Sequence, residues 1–383
     1  NKEIRVAQFA GYISEHAAYH HGEASLTGTI TGMAQNFVGS NNINLFHPEG
    51  QFGSRMLGGK DASSPRYIHT HLSKITRYIY KEVDDLLVPQ QKEQGQDIEP
   101  KFYMPVIPML LVNGSVGIGT GYATNIPQYH PIQIIDKLLG LRTDIQPYYH
   151  KFNGTIREES DKVITTGKYR RVSSNKIRIT ELPVGTWTTP YNSWLHTRDW
   201  VSDVIDHSTD EVVDITVRVS GNLPTDEAAL IKKFKLESTK HIKLVAFNSQ
   251  NKLHTYKNVD EIITEWTACR LEIYKQRRLA IIQLCADKFS KAENKYKFIN
   301  MIIRGIIKVH GQTRQSLLDQ CVRVGLNTPE DLIALPTYMQ TSDELAKLKQ
   351  EMDGWEAKRM AMERETEHTL FKKDLGELKS KLM

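Results

Sequence analysis

The sequence has little cysteine, no long apolar run and no signal peptide, and each absence argues against a class of protein. Three cysteines among 383 residues cannot form a disulfide scaffold, and none belongs to a C-x-x-C pair that would hold structural zinc. We therefore expect a reducing, intracellular compartment and no metal site in this chain. The longest apolar run, residues 104–112, is interrupted by two prolines and is too short for a membrane span. No signal peptide opens the chain. The first residue is Asn1 rather than Met, which leads us to expect a fragment.

Acidic residues are scarce in one stretch, although the whole chain is nearly balanced. Fifty Lys and Arg face 45 Asp and Glu, and a surplus of five does not by itself indicate nucleic-acid binding. Between residues 51 and 81, one acid, Asp61, faces six cations: Arg55, Lys60, Arg66, Lys74, Arg77 and Lys81. Clustered cations among small residues are typical of a phosphate-contacting surface, which we favour over a solvated helix face.

The chain also lacks a recognisable nucleotide-binding motif, although its glycines are concentrated. Residues 109–124 contain four glycines within a span of eight positions. Thr124 stands where a dinucleotide fingerprint needs its third glycine. The Gly-Gly-Lys step at residues 58–60 is not a Walker loop, because Ser54 replaces the earlier glycine and Asp61 follows the lysine. A glycine-rich stretch can still approach a phosphate or a base closely, or can form only a tight turn.

Residue patterns divide the chain into three regions, which suits two or three domains. Residues 1–103 are rich in Gly, His, Asn and Ser. Their apolar spacing predicts helices at residues 8–18, 26–37 and 66–81. Their Gly, Asn and Ser clusters predict loops and tight turns over residues 39–65 and a polar surface loop over residues 90–100.

Strands are expected to dominate residues 104–259. Apolar residues alternate with polar ones from Val213 to Val219, which predicts a half-buried strand. Ile177 and Ile179 alternate in the same way after a predicted hairpin turn at residues 173–175. A further strand at residues 242–247 and a helix at residues 131–141 complete the expectation.

From residue 260 onward the pattern is helical. One apolar stripe comprises Ile262, Trp266, Cys269, Ile273, Ala280 and Leu284. A second long helix is predicted to begin at Thr341, which forms a capping-box pattern with Glu344. Two long amphipathic helices with a short helical region between them favour an antiparallel coiled coil with a small globule at its tip, over two helices packed on an ordinary core.

Two clusters carry candidate nucleophiles or acid–base groups. A phenol at its normal pKa of about 10 is a poor nucleophile, but an adjacent guanidinium can stabilise both the phenolate and a phosphoryl transition state. Arg66 and Tyr67 therefore suit attack on a DNA phosphate, although most of the 16 tyrosines are expected to be packing residues. The adjacent His20 and His21 suit acid–base work, phosphate contact, a structural role or, least of all, metal binding.

These residues lie in strings that closely resemble the DNA breakage–reunion region of type IIA DNA topoisomerases. The densest strings are VAQFAGYISEHAAYHHG (Val6–Gly22), QNFVGSNN (Gln35–Asn42), QFG with GGKDASSPRY (residues 51–53 and 58–67), and Met109–Pro127. The likeness is patchier beyond about residue 130, where ITELPVGTW (Ile179–Trp187) and RLEIYKQRR (Arg270–Arg278) still fit. The chain resembles the eukaryotic enzymes and those of large DNA viruses and phages more than bacterial gyrase.

The resemblance implies a multidomain α+β fold. It implies an N-terminally incomplete winged-helix DNA-cleavage domain over residues 1–103, then a mixed tower domain with a β-sheet over 104–259. A long antiparallel coiled coil with a C-terminal dimer gate would occupy residues 260–383. It further implies a homodimer that acts on double-stranded DNA, in the nucleus or, for a viral or phage source, in the host cytoplasm or a viral factory.

The same resemblance implies an ATP-dependent activity whose other parts lie outside this chain. Neither the ATPase domain nor the acidic motifs of the Toprim domain are in the sequence. We therefore expect Mg²⁺ and ATP to be bound by an upstream part of the same protein or by a separate subunit.

Roles for individual residues follow from the resemblance. Tyr67 would attack a DNA phosphate and become linked to the 5′ end, assisted by Arg66, with His20 and His21 beside the scissile phosphate. Ile126 would wedge between base pairs and bend the duplex, at a stacking cost that extra contacts offset. The further expected DNA contacts are Lys60, Arg55, Lys74, Arg77, Gly119 and Thr120.

Two other functions compete with DNA breakage and reunion. A non-catalytic module could bind and bend duplex DNA through the same surface, but the simultaneous presence of Arg66, Tyr67, His20 and His21 argues against it. A phosphotransferase that binds a nucleotide in the glycine-rich segment is disfavoured, because the motif spacing is wrong.

Overall fold

The computed structural model describes residues 2–85, 87–93, 95–336 and 341–383, without the side chains of residues 96 and 97. The chain forms two compact units, one of Asn1–Arg270 with Lys372–Met383 and one of Leu271–Phe371. The three-domain division expected at residues 103 and 259 stays a prediction. Among the described residues, no helix is both long and apolar enough to cross a membrane.

The first unit begins with two helices on a small antiparallel sheet. The helices are α1 (Val6–His16) and α2 (Glu23–Ala34), and the strands are β1 (Ile4–Arg5), β2 (Phe46–Glu49) and β3 (His69–Leu72). Strand β3 lies between β1 and β2 and pairs with both. A core of Val6, Ala10, Ile30, Phe52 and Ile68 joins the helices to the sheet, because the apolar residues of α1 and α2 recur at helical spacing.

Two secondary-structure predictions for residues 39–81 are wrong. Only α3 (Thr76–Ile79) is helical within the predicted helix at residues 66–81, which also contains β3. The predicted loop at residues 39–65 contains β2. In both cases pairing between distant strands outweighs the local pattern, since β3 completes hydrogen bonding with two neighbours.

The surface loop predicted at residues 90–100 is also wrong where it is described. It forms an antiparallel hairpin of β4 (Gln90–Glu93) and β5 (Gln96–Pro100), which follows a 3₁₀ turn at Glu82–Asp84. Residue 94 of that segment lies outside the described residues. Gly95, at the turn, has φ +83°, a conformation that favours glycine.

A second hairpin follows a helical turn, α4 (Met109–Val112). Its strands are β6 (Ser115–Gly119) and β7 (Tyr122–Ile126), which pair from Ser115 with Ile126 to Gly119 with Tyr122. Helix α5 (Pro131–Leu138) follows and confirms the helix predicted near residues 131–141. His130 caps it, because its Nδ1 accepts a hydrogen bond from the Ile132 amide at 3.2 Å.

The remaining strands of the first unit form three sheets. The first sheet has the order β14 (Glu237–His241), β9 (Lys162–Thr166) and β8 (Thr155–Glu159). The second has the order β10 (Lys168–Ser173), β11 (Lys176–Glu181), β13 (Ile215–Val219) and β12 (Val201–Asp206). The third is the pair β15 (Val245–Phe247) and β16 (Leu253–Thr255). Helices α6 (Thr188–His196) and α7 (Glu227–Lys233) cover the four-stranded sheet. The alternation predicted around Ile177, Ile179 and residues 213–219 is confirmed, because those apolar side chains are buried in one core.

The last helices include one of 45 residues. The helices are α8 (Val259–Ile303), α9 (Arg314–Arg323), α10 (Pro329–Ile333), α11 (Ser342–Arg364) and α12 (Glu367–Leu382). Thr341 caps α11 as predicted, since its hydroxyl accepts a hydrogen bond from the Glu344 amide. The apolar stripe of α8 continues differently from the prediction: Ala280 and Leu284 are exposed and Cys285 is buried.

Within the second unit, α8 and α11 run antiparallel. The Arg278 guanidinium of α8 donates to the carbonyls of Met362 and Glu363 at the end of α11. Residues near 292–299 of α8 share a core with Leu348 near the start of α11, together with α9 and α10. This arrangement agrees with the predicted pair of long helices and small globule; residues 337–340 of that region lie outside the described residues.

Candidate functional site

Tyr67 lies in an exposed turn directly before β3. Backbone hydrogen bonds to the start of α1 fix that turn. The Ala7 amide donates to the Pro65 carbonyl at 3.1 Å, and the Val6 amide donates to the Ile68 carbonyl at 3.0 Å. These amides are the otherwise unpaired donors of the first turn of α1, so the Tyr67 segment completes the helix end. Ile68 is buried in the adjoining core, whereas the Tyr67 side chain is 77% exposed. The phenol is therefore presented to solvent from a fixed backbone.

Arg66 is exposed beside Tyr67. Within the described part of the chain, no carboxylate pairs with its guanidinium, which leaves its donors open to an incoming anion.

His20 and His21 lie in the loop that precedes α2, and both are exposed. His20 Nε2 lies 3.3 Å from a carboxylate oxygen of Glu93 on β4. The His21 ring packs edge-on against Tyr19, whose hydroxyl donates to Ser25 at 3.0 Å. Tyr19 also packs on the core that contains Ile68, so one core supports both the histidine loop and the Tyr67 segment. No hydrogen bond joins the two histidines to Tyr67 among the described residues.

The glycine-rich loop at residues 53–61 is tightly folded. Asp61, the single acid of the basic stretch, accepts hydrogen bonds from the amide and the hydroxyl of Ser54. A Cβ at Gly58 would lie 2.2 Å from the Trp187 ring, so only glycine fits there. Lys60, the next residue but one, is exposed with its ammonium free of any described ion pair.

Arg55 is placed where the sequence analysis did not expect it. Its side chain is 5% exposed, and its guanidinium pairs with Glu181, which is 1% exposed, 126 positions along the chain. Glu181 also accepts hydrogen bonds from the amides of Asn153 and Leu182. A buried, paired guanidinium is not available to a DNA backbone, so the structure does not support the expected DNA contact of Arg55.

The other cations of the basic stretch are divided between free and paired groups. Lys74 is exposed with no ion pair among the described residues. Arg77 is exposed but pairs with Asp85 at 3.0 Å. Lys81 pairs with Asp374 and Glu377 of α12, so it serves to hold that helix.

The tip of the β6–β7 hairpin presents apolar side chains to solvent. Ile118 is 94% exposed, and Val116 and Tyr122 are also exposed. Gly119 and Thr120 form the exposed turn, and Gly121 has φ +81°, which favours glycine. A fully exposed isoleucine at a narrow tip is unusual in a core-forming hairpin and can be inserted into another surface.

Ile126 lies at the opposite end of the same hairpin and is 2% exposed. Its position pairs with Ser115 at the base. A buried isoleucine cannot be inserted between base pairs, so the structure does not support the expected wedge role of Ile126. The sequence analysis missed Ile118, although one signal was present: in SVGIGTG, Val116 and Ile118 share one face of a strand whose other face carries glycines, and a strand with so few side chains to pack is typical of a hairpin that stands out from the core.

Three side-chain amides hold the base of this hairpin. The Asn42 amide donates to the carbonyls of Val112, Tyr129 and Tyr148 at 2.9, 3.2 and 3.0 Å, and its oxygen accepts from the His150 amide at 2.8 Å. The remaining amides are Asn113, which bonds both backbone groups of Ile43, and Gln128, which donates to Ser40 and Asn113. Each of the three amides bonds at least two backbone groups, which makes the base rigid.

The described residues offer no group of three His, Cys, Asp or Glu side chains that could hold a metal ion. The residues that the structure describes therefore do not by themselves assemble the carboxylate set that a magnesium ion prefers.

The chain as a whole is similar to known proteins. The family model for the DNA gyrase/topoisomerase IV A subunit matches residues 1–376. A mitochondrial DNA topoisomerase 2 of Dictyostelium discoideum is 39% identical over 83% of this chain and 26% of that protein. DNA topoisomerase 2 of Saccharomyces cerevisiae is 36% identical over 92% of this chain and 26% of that protein.

A solved structure agrees with these relatives. The DNA-binding, cleavage and re-ligation domain of Plasmodium falciparum topoisomerase II matches all of this chain and 58% of that chain, with a TM-score of 0.92 and 33% sequence identity. This match confirms the expected multidomain α+β fold. The chain spans about a quarter of the length of the curated relatives that it matches.

Proposed function

The chain belongs to the type IIA DNA topoisomerases, the family of the gyrase/topoisomerase IV A subunit and of DNA topoisomerase 2, and from this we propose that it is the DNA breakage–reunion part of such an enzyme. Tyr67 is the proposed nucleophile, and one observation carries the proposal: its phenol is 77% exposed on a backbone fixed at both ends. A solvent-facing tyrosine without a packing role is what attack on a large substrate requires.

The proposed reaction exchanges one phosphodiester for another. The Tyr67 hydroxyl oxygen bonds to phosphorus and gives up its proton, the bond from phosphorus to the 3′ oxygen breaks, and the 3′ oxygen takes up a proton. The 5′ phosphoryl group stays on Tyr67. Because one phosphoester replaces another, attack by the 3′ hydroxyl reverses the step and reseals the strand.

Arg66 and the histidine loop are proposed to assist this exchange. The free guanidinium of Arg66 would neutralise charge on the phosphoryl oxygens. His20 and His21, exposed on the neighbouring loop, would donate hydrogen bonds to the phosphate or relay its proton. The core shared by the two loops supports this assignment, since it keeps them in one neighbourhood.

Ile118, rather than Ile126, is the proposed wedge that bends the duplex. Among the described residues it is the most exposed large apolar side chain, and it stands near the tip of a hairpin whose base is held by side-chain amides. Insertion of an apolar side chain at a base step costs about a few kcal/mol of stacking and is offset by contacts to the bent DNA. Gly119 and Thr120 at the same tip, with Lys60, Lys74 and Arg77, are the proposed backbone contacts.

The complete activity is proposed to need parts that this chain does not contain. A Toprim part would supply Mg²⁺, an ATPase part would couple ATP, and a second copy would cut the other strand so that another duplex can pass. The relatives named above are eukaryotic, as the sequence led us to expect, and a viral or phage source stays a prediction.

A cleavage trap tests the nucleophile. The chain is combined with the Toprim-bearing part of its protein, Mg²⁺ and supercoiled plasmid, then denatured abruptly, and the DNA is digested. We expect a nucleotide on the peptide that contains Tyr67, and we expect Tyr67→Phe to abolish it while duplex binding changes less than about twofold.

Tyr12→Phe is the matched control, because Tyr12 is also exposed on α1 and should leave the adduct intact. An adduct that persists in Tyr67→Phe would overturn the proposal. Bending without any adduct in an assembly that contains all parts would favour the non-catalytic, duplex-bending function instead.

A further inference from the structure

A second hairpin, formed by β15 and β16, is joined directly to the β6–β7 hairpin. The amides and carbonyls of Asn125 and Lys243 exchange two hydrogen bonds of 3.0 Å, and the Asn125 side chain donates to the His241 carbonyl. The two hairpins are thus linked at the base of β7, and any surface that Ile118 meets is close to the second hairpin.

An apolar groove of about 650 Å³ lies between the hairpins. Ile118, Gly119 and Tyr122 line one side, and Val245, Phe247 and Leu253 line the other. Phe247 is 68% exposed and Leu253 is 42% exposed, so neither serves the core. A continuous patch of exposed apolar side chains is typical of a binding surface.

The charge of the second hairpin indicates what binds there. Residues 243–257 contain Lys243, Lys252 and Lys257 and no Asp or Glu. Lys243 and Lys252 are exposed, and no ion pair of either ammonium occurs among the described residues. Unpaired lysines without neighbouring acids in the hairpin complement a polyanion, and the phosphate backbone of the duplex proposed to meet Ile118 is the polyanion that lies closest.

A carboxylate of α8 holds the tip of this hairpin. Glu265 accepts a hydrogen bond from the Ser249 amide at 2.8 Å and from the Tyr256 hydroxyl at 2.7 Å. The Asn248 amide and the Lys252 carbonyl close the turn at 2.9 Å. Phe247 and Leu253 therefore project from a braced support, which reduces the ordering cost of binding.

We propose that the β15–β16 hairpin is a second contact for bent duplex DNA, in which Phe247 and Leu253 cover sugar and base edges beside the step opened by Ile118. Lys243 and Lys252 then neutralise flanking phosphates. This inference rests on the proposed function, because it needs a duplex that is bent at Ile118. It assigns DNA binding to a hairpin that the sequence analysis treated only as a strand.

The apolar part is tested with the full chain and a short duplex labelled at both ends, so that anisotropy reports affinity and energy transfer reports bending. We expect Phe247→Ala to weaken binding about fivefold and to reduce bending. Val212→Ala is the matched control. Val212 is 56% exposed, but it directly follows Asp210 and Glu211, whose negative charges repel a DNA backbone. Since Phe247 is exposed, its variant should fold normally.

The charged part is tested by the dependence of affinity on salt. The double variant Lys243→Gln/Lys252→Gln should lower the slope of log affinity against log salt by about 2, because about 0.9 counterions are released per phosphate contact. Lys349→Gln, an exposed lysine of α11, is the control for loss of charge and should change the slope by less than half as much.

Ile118→Ala separates failure of this inference from failure of the proposed function. If Ile118→Ala impairs bending but Phe247→Ala binds and bends as the parent does, the hairpin proposal is wrong and the wedge stands. If neither variant changes bending, or if the chain binds no duplex, both fail. A Phe247→Ala variant that alters only self-association, seen by sedimentation, would assign the groove to a protein partner and overturn the proposal.

Discussion

The segment that carries Tyr67 and the hairpin that carries Ile118 both present an exposed side chain from a fixed base, but different groups fix them. Backbone carbonyls of Pro65 and Ile68 hold the first, by accepting hydrogen bonds from the start of α1. Side-chain amides of Asn42, Asn113 and Gln128 hold the second.

This difference has a consequence for how each region responds to substitution. A backbone anchor survives when side chains change, so the residues around Tyr67 can be chosen for their chemistry. An amide anchor depends on particular residues, and each buried amide that is lost leaves its partners unpaired. We therefore expect the Tyr67 segment to tolerate substitution and the hairpin base to resist it.

The largest expected effect is at Asn42. Asn42→Ala removes four hydrogen bonds at once and leaves three carbonyls and one amide without partners in a buried place. We expect a loss of about 2–4 kcal/mol in the free energy of unfolding, measured by urea denaturation.

Tyr67→Phe is the control from the other region, and it should change the same free energy by less than about 0.5 kcal/mol. If Asn42→Ala proved no more damaging than Tyr67→Phe, the distinction between the two anchors would be lost.

A smaller effect is expected from two glycines within one hairpin. Gly114 at the base and Gly121 at the tip have φ of +68° and +81°, so alanine is strained at both. A Cβ at Gly114 would also lie 2.6 Å from the Ile126 carbonyl, whereas nothing lies within 4 Å of one at Gly121. We expect Gly121→Ala to cost about 1 kcal/mol and Gly114→Ala about 2 kcal/mol or more.

Thermal unfolding of the two variants, side by side, measures this difference between base and tip. Equal losses would mean that the base relaxes as freely as the tip and that the amides do not hold it rigidly.

Local periodicity made several of the helices predictable from the sequence, although it failed for residues 66–81. The cap at Thr341 and the spacing from Ile262 to Ile273 depend only on neighbours in the chain, and the structure agrees with both. Strand β3 was missed because its stability comes from β1 and β2, which are distant in sequence. A single stretch of residues cannot report such pairing.

The candidate site also contains residues whose placement depends on neighbours in the chain and residues whose placement depends on distant ones. The Arg66-Tyr67 hypothesis could be formed from the sequence because the two residues are neighbours in the chain, and their catalytic role stays a prediction. Arg55 was misassigned because its partner, Glu181, is 126 positions away, and no local pattern distinguishes a buried cation from an exposed one. Ile118 and Ile126 lie in one string, and only the position of the hairpin turn between them decides which side chain faces solvent.

The smallest expected effect is an acid sensitivity of the residues that hold the hairpin base. Burial lowers the pKa of His130 and of His150, whose amide Asn42 binds, below the ordinary histidine value of about 6.5. Between those lowered values and 6.5 the unfolded chain binds more protons than the folded chain, so stability falls as the pH falls below about 6.5. Protonation of His130 Nδ1 would also remove the acceptor that caps α5.

His130→Asn removes the titration but keeps a side-chain acceptor at the cap. Melting temperatures between pH 7.5 and pH 5 should fall less steeply for this variant than for the parent. Parallel curves would show that the anchor does not respond to acid through His130, and the contrast with the Tyr67 segment would then rest on the amides alone.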